Sequence, residues 1–373
     1  MMKIETLAVH AGGGPDAETG AVAPPIHLAT TFEHGPGGEK IHGYMYARNA
    51  NPTQSRLEEA LAALDGGEAA LVFGSGVAAG AAVLQSLPAG SHVIFPDDVY
   101  YNFRVMALDY LPRWGCEATI VDMGDAAAVR AAVRPSTKLI WMETPSNPLL
   151  KVTDVGAIAA ICRETGAISV VDSTFATPVL LRPIEHGADV VLHATTKYFG
   201  GHSDVQGGAL VFAKKGEVYS AALRNRDVLG AIASPFSSWL VLRGVRSLPC
   251  RVERQSASAM AVAQFLARNS AVEAVHYPGL AGDAGHDVAA RQMKFFGGML
   301  SFRVKGGRAS AIEAVSRARL FVVATSLGGT ESLIEHRASS EGPGSTTPEN
   351  LIRLSMGLEH AEDLIEDLAG MLG

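Results

Sequence analysis

The chain has 373 residues, is 47% hydrophobic and carries a formal charge of −7. That composition supplies a large buried core and, as a soft expectation, two or three domains. Lys and Arg are scattered without a block of like charge, which argues against nucleic acid or an anionic membrane as a partner. Cys116, Cys162 and Cys250 form neither a CxxC pair nor an even disulfide set, which fits a reducing cytoplasm. The opening MMKIETLAVHAGGG lacks the apolar core of a signal peptide, and no run of about 18 apolar residues is available to span a membrane.

Residues 1–55 are rich in Gly, Pro, His and Tyr and show no sustained period. So long an irregular stretch fits an arm lying on a neighbouring subunit better than a loop inside a compact domain. From Arg56 the pattern becomes regular. RLEEALAALD predicts a helix ended by Gly66-Gly67. AALVF (69–73), SHVIF (91–95), EATIV (117–121), KLIWME (138–143), AISVVD (167–172) and ADVVLH (188–193) predict short strands, most of them separated by helical stretches. This alternation predicts an α/β fold, a mainly parallel sheet covered by helices on both faces. Ligands of such sheets sit beyond the carboxyl ends of the strands, so the polar residues there are the candidates for chemistry.

After Ser237 the character changes. SSWLVLRGVRSLPCRVERQSASAMAVAQFLARN is largely helical in pattern, with Pro249 expected to kink or interrupt it. VEAVHY, GGMLSFRV, RLFVV and LIRLSM follow as predicted strands, with helices at 308–317 and 360–371. The expected organisation is an N-terminal arm (1–55), a large domain (56–240) and a smaller C-terminal α/β domain (241–373), with the boundary near 235–245.

The segment HATTKYFGGHSDVQGG (193–208) places Lys197 after an apolar strand, among hydroxyl residues and before a Gly-Gly turn. An amine held where its pKa is lowered suits condensation with an aldehyde cofactor, pyridoxal 5′-phosphate (PLP), and later proton shuttling. A plain surface lysine at a strand end is the alternative. Asp172 ends a strand that reads as buried. A carboxylate there would keep a pyridine nitrogen protonated, and a turn cap is the simpler alternative. FGSGVAAG (73–80) runs from strand through Gly-Ser-Gly into a helix start, which presents free backbone N–H groups to a phosphate. In DDVYYN (97–102), Tyr100 or Tyr101 is positioned to stack on a ring and relay a proton.

Over Thr6 to Leu372 the chain resembles the cystathionine γ-synthase, cystathionine γ-lyase and methionine γ-lyase family, whose fold is that of type I PLP-dependent transferases. The matching segments are YMYARNANPT, SGVAAG, ETPSNPLLKVTD, VVDSTFATP, TTKYFGGHSD, SPFSSWLVLRG, TSLGGTESLIEH and LIRLSMGLEHAEDLIEDL. The resemblance implies that Lys197 is the Schiff-base lysine and catalytic base, that Asp172 pairs with the pyridine nitrogen and that Tyr100 stacks on the ring and assists a proton transfer. It implies phosphate contacts from Gly76, Val77 and Thr196, and from Tyr46 and Arg48 to the phosphate of a neighbouring subunit. It implies a substrate α-carboxylate clamp at Arg353, helped by Ser326. At least a dimer follows, and tetramers are usual in the family. The expected chemistry is elimination or replacement at the γ-carbon of an amino acid, with a β-lyase as the near alternative.

Six residues, at four places, depart from the family pattern. Ala194 stands where a serine phosphate ligand is usual, and on an extended segment Thr195 should point away from that role. Ser173 replaces the usual Asn. Tyr100-Tyr101-Asn102-Phe103 replaces Tyr-Gly-Gly-Thr near the cofactor. Thr325 stands where a Glu that would favour a distal ammonium is often found. Two other classes are set against the leading one. A non-catalytic PLP-fold protein is opposed by the intact Lys197, Asp172 and Arg353. A metal enzyme built on His193, His202 and Asp204 has neither an HExxH helix nor a cysteine pair behind it, so no metal is expected.

Overall fold

The computed structural model describes residues 2–341 and 345–373. Seven strands, β1 (Ala69–Phe73), β2 (His92–Pro96), β3 (Glu117–Val121), β4 (Thr137–Glu143), β5 (Ile168–Asp172), β6 (Val190–His193) and β7 (Gly208–Phe212), form one sheet in the order β1-β7-β6-β5-β4-β2-β3. β3, β2, β4, β5 and β6 run parallel, whereas β7 is antiparallel to both β1 and β6. Residues of β1, β2 and β7 are buried throughout, so both sheet faces are covered and the strands are continuous apolar runs instead of alternating ones. The outermost β3 is only partly buried.

A second sheet contains β8 (Val272–His276), β9 (Met299–Val304), β10 (Val322–Val323), β11 (Leu333–His336) and β12 (Leu351–Ser355), in the order β10-β11-β12-β9-β8. Its apolar face packs on the helices Leu248–Leu266 and Ala361–Leu372 through Leu300, Phe302, Ile334, Ile352, Leu354, Leu364 and Leu368.

All six strands predicted before Lys197 are present, within a residue or two. Two strands escape the sequence pattern, β7 and β11. The predicted strand RLFVV shrinks to the two residues of β10. The helix predicted from Arg56 starts at Pro52, where the Asn51 side chain accepts from the Thr53 amide and Pro occupies the first turn. Within the irregular N-terminal stretch, Ile4–His10 is a short helix. The helical stretch after Ser234 is two helices, Pro235–Val245 and Leu248–Leu266, and Pro249 sits in the first turn of the second, where its missing N–H costs nothing.

Candidate active site

The carboxyl ends of the parallel strands converge on one cavity of about 600 Å3. β4 delivers Glu143, β5 delivers Asp172, and the turn after β6 delivers Ala194, Thr196 and Lys197. The second sheet closes the cavity with Ser326, Arg353 and Arg337. Of the residues the sequence singles out, Gly76, Val77, Tyr100, Asp172, Thr196, Lys197, Ser326 and Arg353 all line this one space. Tyr46 and Arg48 do not. Both are exposed on the N-terminal stretch, with the Arg48 guanidinium 5.4 Å from the Tyr46 ring centre.

Lys197 Nζ donates to Ser326 Oγ at 2.8 Å. Burial, then the positive charges of Arg353 and Arg337, pull its pKa down to about 8. Ser326 has φ of +83°, an unusual backbone for a residue with a Cβ, and its carbonyl accepts from Arg353 Nη2 at 3.1 Å. One strained residue therefore touches both the base and the candidate clamp. Arg353 is 3% exposed. It also donates from Nη1 to Asn147 Oδ1 at 2.9 Å and from Nη2 to Glu335 Oε2 at 2.6 Å. Burial, reinforced by Arg337, lowers it to about 10.

Asp172 is buried and its Oδ1 accepts from the Thr174 amide at 3.0 Å. Glu143 is its register partner on the neighbouring strand. Burial raises both carboxyl groups, and the Asp172 charge raises Glu143 further. Each charge disfavours the other, and of the pair Asp172 is the one whose charged form the Thr174 hydrogen bonds favour. Glu143 Oε2 also accepts the Tyr100 amide at 2.8 Å, fixing the turn that carries the Tyr100 ring. Burial raises the Tyr100 phenol above its ordinary range.

The helix Gly76–Leu84 begins with Ser75 as its cap, whose Oγ accepts from the Ala78 amide at 3.1 Å. The amides of Gly76 and Val77 donate to nothing among the described residues and stand at the cavity wall. That is the donor set a phosphate needs. A Cβ on Gly76 would lie 2.9 Å from the Ala194 Cβ, so glycine here lets the helix start abut the turn before Lys197. Thr196 Oγ1 is already tied to Gly207, donating to its carbonyl at 3.1 Å and accepting its amide at 3.0 Å. Thr195 is buried outside the cavity lining and does not stand in for the hydroxyl missing at Ala194.

These residues fit the cofactor that the resemblance implies. Free amides at a helix start, a buried carboxylate and an amine of lowered pKa face one space within the range of small-molecule sites. The metal alternative finds different geometry. His193 Nε2 is bound to buried Asp65 at 2.9 Å and His202 Nδ1 faces the Gly200 carbonyl at 2.9 Å. Among the described residues no group of three or more His, Cys, Asp or Glu is disposed to hold a metal. No described helix is long and apolar enough to cross a membrane. Of the departures from the family pattern, Ala194, Tyr101, Asn102, Phe103 and Thr325 line the cavity. Phe103 is 2% exposed and tilts into the core against Trp141, ring centres 4.5 Å apart.

Sequence reasoning assigned no role to Glu143, Asn147, Glu335 or Arg337. Glu143 carries the same signal as Asp172, a carboxylate ending an apolar strand. The other three lie in segments where sequence pattern gives no sign of burial.

Comparison with known proteins gives a consistent set. The family model for Cys/Met metabolism PLP-dependent enzymes matches residues 5–372. A cystathionine gamma-synthase of Mycobacterium tuberculosis is 46% identical over 374 residues, covering 99% of this chain and 96% of that protein. A cystathionine beta-lyase of Coxiella burnetii is 41% identical over 380 residues, covering 99% and 97%. The crystal structure of metB from Corynebacterium glutamicum superposes with a TM-score of 0.97 at 40% identity, covering 100% of this chain and 98% of that one.

Proposed function

This chain belongs to the Cys/Met metabolism PLP-dependent enzyme family, and from that premise we propose that it catalyses elimination or replacement at the γ-carbon of a γ-substituted amino acid in sulfur amino-acid metabolism. The observation that carries the reading is Ser326, which holds the Lys197 amine through its hydroxyl and the Arg353 guanidinium through its carbonyl. An α-amino acid bound by its carboxylate at Arg353 then presents its Cα to Lys197.

PLP, when bound, supplies the electron sink that lets bonds at Cα break. The Gly76 and Val77 amides would hold its phosphate, with Thr196, whose hydroxyl and amide protons are both given to Gly207, only lining that end; Asp172 would hold its ring nitrogen, Tyr100 its ring and Lys197 its aldehyde carbon. The rest is the work of the chain. With a pKa near 8, Lys197 is partly free base at neutral pH; it would take the α-proton and, once it has handed that proton back to the cofactor-bound substrate and is a free amine again, a β-proton. Arg353 and Asn147 orient the α-carboxylate. Tyr100, kept neutral by burial, donates or relays one proton. Departure of the γ-substituent leaves a centre that water carries to a 2-oxo acid, or that a thiol captures.

The β-lyase reading remains the second one, favoured by the same clamp and base, since both reactions begin with the α-proton. We further place the active form as a homo-oligomer, at least a dimer and in its full form a tetramer, in the cytoplasm. The N-terminal arm (1–55) then brings exposed Tyr46 and Arg48 to a neighbour's phosphate, while 56–240 and 241–373 act as large and small domains. The deciding experiment incubates the holoenzyme with cystathionine, O-acylhomoserines and methionine, with and without cysteine, and identifies products by mass spectrometry. Products of γ-cleavage or γ-replacement support the reading. Pyruvate from cystathionine, without 2-oxobutanoate, moves it to β-lyase, and no turnover of any substrate overturns it.

A further inference from the structure

Arg337 follows β11 and is 8% exposed, yet it lines the active-site cavity. Its Nε donates to Glu341 Oε1 at 2.9 Å and its Nη1 to Glu335 Oε2 at 3.2 Å. Glu335 Oε2 also receives Arg353, so this one carboxylate spaces the two guanidinium groups. Glu341 is in turn held by the hydroxyls of Ser345 and Thr347. The Arg337 fork is thereby fixed in orientation from two sides. Its remaining nitrogen, Nη2, donates to nothing among the described residues. Glu335 and Glu341 already meet its charge, but the Nη2 donors are left over on a residue that lines the cavity, and a guanidinium edge matches a carboxylate.

We infer that Arg337 is a specificity-determining residue that receives a second anionic group, a carboxylate at the far end of the γ-substituent, while Arg353 takes the α-carboxylate. This inference rests on the proposed γ-chemistry. It identifies the class of substituent that chemistry prefers, namely one that ends in a carboxylate. The positions support it. Burial raises the Tyr100 phenol, and of the surrounding charges Arg337 opposes this most, ahead of Arg353. On Lys197 the order is reversed. Arg337 lines the same cavity as Arg353 and Tyr100 but has no hydrogen bond to Lys197, Ser326 or Asn147, the groups at the reacting end.

The test uses the holoenzyme and two matched pairs. The first is norleucine and 2-aminoadipate, inert toward γ-cleavage and differing in a terminal methyl or carboxylate, with dissociation constants measured by calorimetry. The second is O-acetylhomoserine and O-succinylhomoserine, compared by kcat/KM. The wild type is expected to favour the anionic member roughly 10- to 100-fold, the scale of a charge-assisted hydrogen bond. Arg337→Met should abolish that ratio while norleucine binding changes by less than about threefold, and Arg337→Lys should retain part of it. Equal affinity of the wild type for both members of the first pair overturns the assignment without needing any variant. Parallel loss of both ligands in Arg337→Met, with the ratio intact, also overturns it and leaves Arg337 as a strut between Glu335 and Glu341. Failure of the γ-chemistry shows separately, as no product from either ester while the binding ratio stands.

Discussion

Replacing Arg353 tests the site most directly, because the side chain has two jobs that separate. In the folded chain it donates to Asn147, the Ser326 carbonyl and Glu335, all buried or partly buried. Arg353→Met removes all three and leaves Glu335, whose Oε1 is already unpartnered among the described residues, with only Arg337 on Oε2. Leaving a buried carboxylate short of a donor costs about 1–3 kcal/mol of stability. Losing the bidentate grip on the α-carboxylate costs a further 2–4 kcal/mol, or about 30- to 1000-fold, in kcat/KM. The assay is kcat/KM per cofactor-loaded site for two substrates with different γ-substituents, beside thermal denaturation. Both substrates should fall by a similar factor, since the clamp touches only what they share. The double variant Arg353→Met/Glu335→Gln should recover much of the stability, having discharged the stranded carboxylate, and none of the activity. Activity that returns with stability in the double variant would refute the clamp.

Three further outcomes follow from the same geometry. Lys197 is held at about 8 against an unfolded value near 10.4, so below pH 8 the fold carries a buried cation it would rather lose. Lys197→Met apoprotein should be about 1–3 kcal/mol more stable than wild-type apoprotein below pH 8. Between those two values the unfolded chain binds more protons than the folded one, so wild-type stability rises and the gap closes by about pH 10.5, as read by urea denaturation across pH. Asp172→Asn should lower kcat/KM roughly 100- to 1000-fold, because a neutral amide cannot hold a proton on the cofactor nitrogen, and loss below tenfold in cofactor-loaded enzyme would speak against that pairing. Gly76→Val pushes a Cβ to 2.9 Å from Ala194 at the phosphate end, so equilibrium dialysis should show cofactor retention weakened by about tenfold or more. Unchanged retention would move the phosphate elsewhere.

How much of this was legible in the sequence depended on where each residue sits relative to a strand end. Lys197 and Asp172 follow long apolar runs whose burial is evident, and the rule that ligands lie past the carboxyl ends of parallel strands finds both. Arg353 sits inside LIRLS, where alternation makes it look like an outward-facing charge, and only the family resemblance gave it a role. It is buried because β12 lies between β11 and β9, with Glu335 directly opposite it. β11 itself, Leu333–His336, has two apolar and two polar residues, too short and too mixed to announce a strand, yet all four are buried. With β11 missed, Glu335 and the nearby Arg337 had no structural address, and the second guanidinium in the cavity was invisible. β7 was missed for another reason. It is apolar, but it returns antiparallel directly after the Lys197 loop, which breaks the strand-helix-strand rhythm used to find its neighbours.

The division of labour between the two sheets explains why the site needs both. In the proposed function the large sheet supplies what would act on the cofactor and on the reacting carbon: Asp172, Lys197, the helix start at Gly76 and the Tyr100 turn held by Glu143. The second sheet and its connections bring Arg353 and Arg337, the groups proposed to read the substrate, to the same cavity with Glu335 between them. Direct bonds across the cavity are few, chiefly Lys197 to Ser326 and Arg353 to Asn147. Both end on atoms that a bound amino acid would compete for, the amine at one and the guanidinium at the other. On the proposed reading a bound substrate would therefore replace these cross-cavity bonds with bonds of its own, instead of adding to a rigid frame.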